Sequence, residues 1–312
     1  MLPRKSIPNR PFSEAGGWSL VKESRGDRLL LGLFYVLIGI FAIYCLIPFW
    51  TVVVNSFASE QSLVRYGYLL FPKEFSLEAY RLLLKTDVVF NAYAVTLFVT
   101  AVGTILSMIV TCAMAYALSV KTVKYRNHIA FYVFFAMLFK GGLVPTYILI
   151  TKYLHLQDTV WVLIIPALLN PWNMFLLRNF FKTIDEALAE SAKIDGANDM
   201  YILFRIILPV SLPAIATISL FYALAYWNEW YRAMLYISDE NLHPLQYLIM
   251  KIVRNLDFAN QISDQVTIPG YVVPSYTTRL ATTVVTIGPI IFLYPFLQKY
   301  FVKGLLVGSV KG

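Results

Sequence analysis

An all-α membrane protein with six transmembrane helices is the fold class this sequence predicts, and three observations carry it. Of its 312 residues 58% are hydrophobic and only 14% charged, with a mean hydropathy of +0.64, a balance typical of membrane rather than soluble chains. Six apolar stretches are long enough for the roughly 20 residues a helix needs to cross a bilayer. Lys and Arg concentrate in alternate connections between these stretches, which is how topology is written when basic residues are retained on the cytoplasmic side.

The stretches are Leu29–Trp50, Ala92–Leu118, Ile129–Ile150, Val160–Leu177, Leu212–Tyr236 and Leu280–Phe301. The first is too long for a secretory signal core, and no convincing small-residue cleavage site follows it, so it reads as a retained anchor. Two of the six are interrupted by Gly or Pro, which softens their ends. The expected domain organisation is a tail over 1–28 and a six-helix transmembrane domain over 29–312.

With the N-terminus cytoplasmic, the inside segments 1–28, 119–128, 178–211 and 299–312 hold 16 of the 26 Lys and Arg, against eight in the outside segments 55–91, 151–159 and 237–279. Acidic residues divide eight to nine, as expected when only basic residues set orientation. The prediction is a multi-pass protein of a bacterial cytoplasmic membrane with both termini inside. The net charge of +8 then finds its partner in anionic lipid headgroups rather than nucleic acid. The basic stretch from Arg4 to Arg28 reads as a solvated tail.

Cys45 and Cys112 both lie in predicted spans, and His128, His155 and His243 are far apart. Neither a disulfide framework nor a metal site is expected.

Between spans four and five, residues 182–209 read as two short helices around a tight turn. Thr183 followed by Glu186 fits a capping box, and the Ala-rich run Glu186–Ile194 is strong helix former. Gly196 supplies a left-handed cap where the first helix must stop, and Asn198 can cap the second. Asp195 opposes the negative end of the first helix dipole; it is either a turn residue serving the next helix or a partner for a cation on another chain. Pro209 and Pro213 break the chain at membrane entry.

Glu190-Ser191-Ala192, three residues, Gly196, nine residues, then Ile206, Leu208 and Pro209 resembles the EAA loop of binding-protein-dependent ABC importer permeases, with Ser191 in place of the usual Ala. The resemblance implies a type I importer permease fold whose cytoplasmic coupling helices dock on a separate ATPase, with Glu190, Ala192, Asp195 and Gly196 at that contact. Asp185 departs from the family, which commonly has Pro before the Glu-led helix, and this leaves the entry geometry of the first coupling helix open.

Polar groups inside spans default to functional candidates. Span five carries Trp227, Asn228, Glu229, Trp230, Tyr231 and Arg232 near its outer end. Aromatic faces with an amide and a carboxylate suit a pyranose, and Glu229 and Arg232, three apart, can neutralise each other. Trp230 and Tyr231 fit an interfacial aromatic belt equally well; Asn228 and Glu229 favour function, since a belt needs neither. Span three contains Lys140-Gly141-Gly142, Pro145 and Tyr147, where Gly and Pro disrupt the helix; irregular backbone at that depth is tolerated only beside protein or a watery cavity. Lys140 is expected to face such a cavity and to favour an acidic sugar. Span four adds a further break at Asn170-Pro171-Trp172-Asn173.

Residues 139–147, the Trp227-Asn228 pair and the tail Pro295–Gly312 are similar to the maltose-type second permeases of the carbohydrate-uptake class. The Gly141-Gly142 stretch looks most like the branch that handles complex or uronic-acid oligosaccharides. The resemblance implies a heterodimer with a second permease, two ATPase subunits and an extracytoplasmic solute-binding protein. It implies no cofactor on this chain, ATP and Mg being used by the ATPase.

No G-x-x-x-x-G-K-[ST] phosphate loop, H-E-x-x-H or G-x-S-x-G occurs, so enzyme activity is not expected. The competing readings are an ABC permease for a non-sugar solute and a stand-alone secondary transporter, whose broken helices would look similar.

Overall fold

The computed structural model describes residues 25–84, 87–263 and 276–287. The chain divides between Thr51 and Val52 into two units. The first contributes most of α1 (Arg25–Asn55), a 31-residue helix that carries Pro48. From Leu29 to Trp50 its side chains are apolar on every face and exposed, Leu29 at 77% and Tyr44 at 70%, a surface that needs lipid or another protein around it.

The second unit opens with short helices, α2 (Glu60–Tyr66) and α3 (Glu78–Leu84). Buried Asn55 clamps this segment, donating from Nδ2 to the Leu69 carbonyl at 2.7 Å and accepting the Leu69 N–H at 3.1 Å. The Glu60 carboxylate accepts the backbone N–H groups of Tyr276 and Thr277, both at 2.9 Å, which satisfies two orphan donors at the start of helical residues 276–287.

The centre is α4 (Asp87–Ser119), 33 residues without an internal charge. After it come α5 (Arg126–Leu138), α6 (Leu143–Ile148) with a π-helical turn over Leu149–Tyr153, α7 (Trp161–Ile164) with a 3-10 turn over Ile165–Ala167, and α8 (Pro171–Phe181). Beyond them lie α9 (Glu186–Ile194), α10 (Asp199–Ile202), a π-helical turn Leu203–Ile207, α11 (Leu208–Val210), α12 (Leu212–Trp227), α13 (Tyr231–Tyr236) and α14 (Leu245–Ser263).

Among the described residues two helices, α1 and α4, are long and apolar enough to cross a membrane unbroken. Three more candidate spans are bent pairs: α5 with α6 and its π turn at 112°, α7 with α8 at 48°, and α10–α11 with α12 at 87°. Each bend falls on a breaker that the sequence displays. Gly142 takes φ +88° between α5 and α6, a conformation only glycine adopts cheaply. Pro171 opens α8 and Pro213 opens α12, positions where its missing N–H costs nothing.

The predicted fifth span is corrected in one respect. It does not run unbroken from Leu212 to Tyr236, because α12 ends at Trp227 and the helix resumes only at Tyr231. Residues 288–312, with most of the sixth predicted span and the whole tail Pro295–Gly312, lie outside the described residues, as does the tail over 1–24.

α4 packs along α12 and α8 through a row of small and polar residues, Thr96, Thr100, Gly103, Ser107 and Thr111, spaced three or four apart on one face. Small residues let helix backbones approach closely in a bilayer, where lipid is as apolar as Leu and packing is the main attraction. Two tyrosines on α12 fill that row. Tyr226 and Ser107 share a hydrogen bond at 2.8 Å, and Tyr222 and Thr111 share one at 2.7 Å. The Tyr222 hydroxyl also accepts the Asn170 N–H at 2.9 Å, and Tyr226 donates to the Ile164 carbonyl at 3.3 Å. The backbone groups freed by the α7–α8 break are thus satisfied by side chains from α12, as groups buried away from water must be. Val99, Leu163, Met174, Leu177 and Ile202 close the core around them.

Candidate coupling loop and substrate path

The loop over 182–209 folds as two helices around a glycine turn. Its first cap differs from the expected one. Thr183 turns back, donating from Oγ1 to the Phe180 carbonyl at 2.7 Å, and Asp185 is the N-cap, accepting the Ala187 N–H at 3.0 Å. Asp185 sits at φ −62°, ψ 126°, backbone angles that a proline also takes. The two residue types therefore serve the same entry by different means, proline by fixing φ and aspartate by filling a donor.

At the other end Gly196 has φ +84°. Its N–H donates to the Lys193 carbonyl at 3.0 Å, and the Ala197 N–H reaches the Ala192 carbonyl at 2.9 Å, the paired bonds of a Schellman turn. Asp195 is the C-cap residue. Asn198 caps α10 through the Tyr201 N–H at 2.8 Å, and Lys193 reaches across the turn to Asp199 at 3.0 Å. Lys121 holds Glu186 at 2.5 Å, tying the start of α9 to the connection after α4.

Glu190, Ser191, Asp195 and Gly196 are exposed, Ala192 and Ile206 half-buried, and Leu208 half-buried beside exposed Pro209. Ile194, 87% exposed, and Met200, 65% exposed, stand beside them. Large apolar side chains exposed on a polar loop are typical of surfaces that meet another protein or a membrane. Behind α9 lies a cleft of about 460 Å³ that reaches Tyr116, Arg126, Lys182, Glu190 and Ile207.

The six substrate-path candidates fall at three places. Trp227, Asn228 and Glu229 occupy the break between α12 and α13. Trp227 is buried against Val89, Ala92, Leu245 and Leu248, and among the described residues its indole N–H has no hydrogen-bond partner. Asn228 is exposed and linked through its carbonyl oxygen to Gln246 at 3.4 Å. Glu229 is buried and fully engaged by Arg232: one oxygen accepts the Arg232 N–H at 2.8 Å and the other pairs with Nη2 at 2.5 Å. Arg232 in turn donates to the Leu163 carbonyl at 3.1 Å. The expected pairing therefore forms, across a break rather than along a helix.

Lys140 and Tyr147 flank the α5–α6 break. Lys140 is exposed, and Tyr147 stacks on Tyr236 with ring centroids 5.5 Å apart, which joins this break to the helix that follows the other one. Asn173 is buried in the first turn of α8, with its backbone N–H on the Asn170 side chain at 3.3 Å.

Residues absent from the sequence reading also shape the site. Asp158, at φ +54°, accepts the Ser238 and Asp239 N–H groups at 2.5 and 3.0 Å, fastening the 151–159 connection to the segment after α13. Those two bonds hold its carboxyl below the usual aspartate value, with nearby His243 adding to the effect. Arg178 donates to the Leu118 carbonyl at 3.0 Å and so closes the end of α4. The spacing of small and polar residues along α4 was the available signal for its pairing with α12; Asp158 had none, since its partners are backbone groups some 80 residues away.

Comparison with known proteins gives a consistent picture. The family model described as binding-protein-dependent transport system inner membrane component matches residues 15–307. The polygalacturonan/rhamnogalacturonan transport system permease protein YtcP of Bacillus subtilis (strain 168) is 44% identical over 287 residues, covering 92% of this chain and 99% of the relative. Protein LplC of the same organism is 42% identical over 267 residues, covering 86% and 90%. A chain from the crystal structure of a bacterial ABC transporter involved in the import of the acidic polysaccharide alginate superposes with a TM-score of 0.76 at 33% identity, covering 89% of this chain and 98% of that one.

Proposed function

Because this chain belongs to the family of binding-protein-dependent transport system inner membrane components, we propose that it is the permease subunit of an ATP-driven importer for oligosaccharides that carry uronate groups. The chain is embedded in the membrane and conducts the sugar. A second permease, two ATPase subunits and a solute-binding protein complete the machine, with both termini of this chain in the cytoplasm.

The observation that carries this reading is the 44% identity, across 99% of its length, to a permease named for polygalacturonan and rhamnogalacturonan. Galacturonan carries a carboxylate on every sugar, so a cationic group in the path has something to recognise. Glu190, Ser191, Ala192, Asp195, Gly196, Ile206, Leu208 and Pro209 make up the handle on the ATPase. A short helix held by caps at both ends and an ion pair to the α4 connection moves as one body, which is what converts ATPase closure into a rearrangement of α12.

Along the path, the exposed members Lys140, Tyr147 and Asn228 meet the sugar directly. Buried Asn173, Trp227 and Glu229 support the breaks from behind. The test is reconstitution of the four-part importer in proteoliposomes with its binding protein. ATPase activity that rises with oligogalacturonate and not with neutral maltooligosaccharide is the expected result; stimulation by the neutral sugar alone would refute the uronate assignment.

A further inference from the structure

The end of the bundle that carries the 182–209 loop holds a cluster of cations. Arg126 begins α5, while Arg178 and Lys182 end α8. The C-terminus of a helix favours the last two, but the N-terminus of α5 is the positive end of its dipole and disfavours Arg126. Among the described residues none of the three forms an ion pair. The carboxylates of the adjoining cleft are Asp185, engaged with the Ala187 N–H, Glu186, held by Lys121, and Glu190. Burial, and after it the fields of Arg178 and Arg126, push the Lys182 ammonium below its ordinary pKa. Glu190 forms no ion pair with them among the described residues, and no carboxylate lines the groove that Arg178 borders, so the gathered charges favour an anion from outside the chain.

Directly beside the cluster an apolar groove of about 430 Å³ runs between α5 and α8, lined by Phe131, Phe134, Met137, Trp172 and Phe175 and ending at Arg178. The helices are antiparallel here: Phe134 meets Phe175 edge to face with ring centroids 6.4 Å apart, and the Arg178 guanidinium lies 6.0 Å from the Phe175 ring centroid. From Ala130 to Met137 the groove follows α5 for about 10 Å. Phe131 is 68% exposed and Trp172 62% exposed, so the groove opens outward from the bundle.

We propose that this groove is a binding site for an anionic phospholipid, whose phosphate sits against Arg126, Arg178 and Lys182 and whose acyl chain lies along Phe131, Phe134 and Trp172. A single amphiphile meets both halves of the site. An apolar face of a neighbouring protein would fill the groove but leave the three cations unmatched. The proposal needs only the membrane embedding of the chain, so lipid retention is read independently of sugar transport.

The test uses the full importer complex in nanodiscs of phosphatidylcholine containing phosphatidylglycerol, released for native mass spectrometry. The wild-type complex is expected to retain phosphatidylglycerol selectively. The double variant Arg126→Gln/Lys182→Gln is expected to retain roughly thirty-fold less, the scale on which two basic side chains attract an anionic headgroup, and the control Lys152→Gln to match wild type. Should the double variant fail to assemble, photoactivatable phosphatidylglycerol applied to the wild-type complex is expected to label peptides from α5 and α8. Equal retention of the two lipids, retention unchanged by the double substitution, labelling elsewhere only, or Phe131→Cys cross-linking to the second permease would each overturn the proposal.

Discussion

Gly103 faces Tyr226 so closely that a Cβ added to the glycine would stand 2.8 Å from the tyrosine ring. The ring cannot retreat, because its hydroxyl is held by Ser107 at 2.8 Å and the Ile164 carbonyl at 3.3 Å. Gly103→Ala is therefore expected to destabilise the α4–α12 contact by about 1–3 kcal/mol, the usual cost of overpacking a filled core. Tyr226→Phe, which keeps the ring and loses the hydroxyl, is expected to cost about 1 kcal/mol. Thermal unfolding of the purified complex ranks the two, and a harmless Gly103→Ala would mean that the helices are further apart than described.

Gly196 and Asp185 test the proposed coupling handle from its two ends. At φ +84° any substituted side chain is strained, so Gly196→Ala is expected to cost about 1 kcal/mol locally. It is further expected to uncouple sugar-stimulated ATPase activity from transport more than it lowers expression. Asp185→Ala removes an N-cap, again worth about 1 kcal/mol. Asp185→Pro should recover most of that loss, since the observed φ of −62° suits proline. Measuring coupling ratios in proteoliposomes separates these outcomes; an Asp185→Pro variant no better than alanine would show that the carboxylate has another role.

How much of this was legible beforehand depended on whether the signal was local. The breaks at Gly142, Pro171 and Pro213 and the turn at Gly196 were readable, because glycine and proline act through their own backbone. The capping of α9 was misread at Thr183 since two good cap residues stand two apart, and which one turns toward the helix depends on how α8 ends. The break after Trp227 was invisible because residues 226–232 contain no Gly or Pro; the bonds of Glu229 and Arg232 to each other and to the Leu163 carbonyl take the place of the continuous ladder. The support of the α7–α8 break by Tyr222 was beyond reach for the same reason, as it joins residues 52 positions apart.

The Glu229–Arg232 pair is expected to act as a brace. Glu229→Ala strands the Arg232 guanidinium, which is itself only 26% exposed, and a loss of roughly 1–3 kcal/mol follows from breaking a largely buried pair. The double variant Glu229→Ala/Arg232→Ala is expected to lose less than the sum of the two single variants. A double-mutant cycle on thermal stability measures that coupling, and strict additivity would remove the brace.

The junction between residues 155–158 and 237–243 is expected to weaken in mild acid because of His243. Burial, followed by the charge of Lys251, holds this histidine below its ordinary value of 6.5, although its bond to the Ile237 backbone opposes the shift. As pH falls below 6.5 the unfolded state takes up a proton that the folded state refuses, so stability is lost from there down to the folded-state pKa and is level above. Asp158 behaves differently: its folded pKa lies below 3.8, so its contribution is complete above that value and fades only in strong acid. Unfolding temperatures from pH 7.5 to 5 should therefore fall for wild type and stay flatter for His243→Phe. A wild-type profile without slope would exclude the histidine.

Lys140 offers the sharpest test of the cargo. It stands exposed at a 112° break whose glycines keep bulk away, and among the described residues no carboxylate pairs with it. In such a partly hydrated site one charge pair is worth about 1 kcal/mol, or roughly five-fold in half-saturation. Lys140→Ala is accordingly expected to raise the half-saturation for oligogalacturonate by about that factor while leaving neutral oligosaccharides unaffected, and Lys140→Arg to preserve the preference. Because the binding protein delivers sugar before the permease contacts it, the comparison has to be made at saturating binding protein, where the permease limits the rate. Unchanged uronate uptake by Lys140→Ala under that condition would take this residue out of the path and leave acidic selectivity to the binding protein.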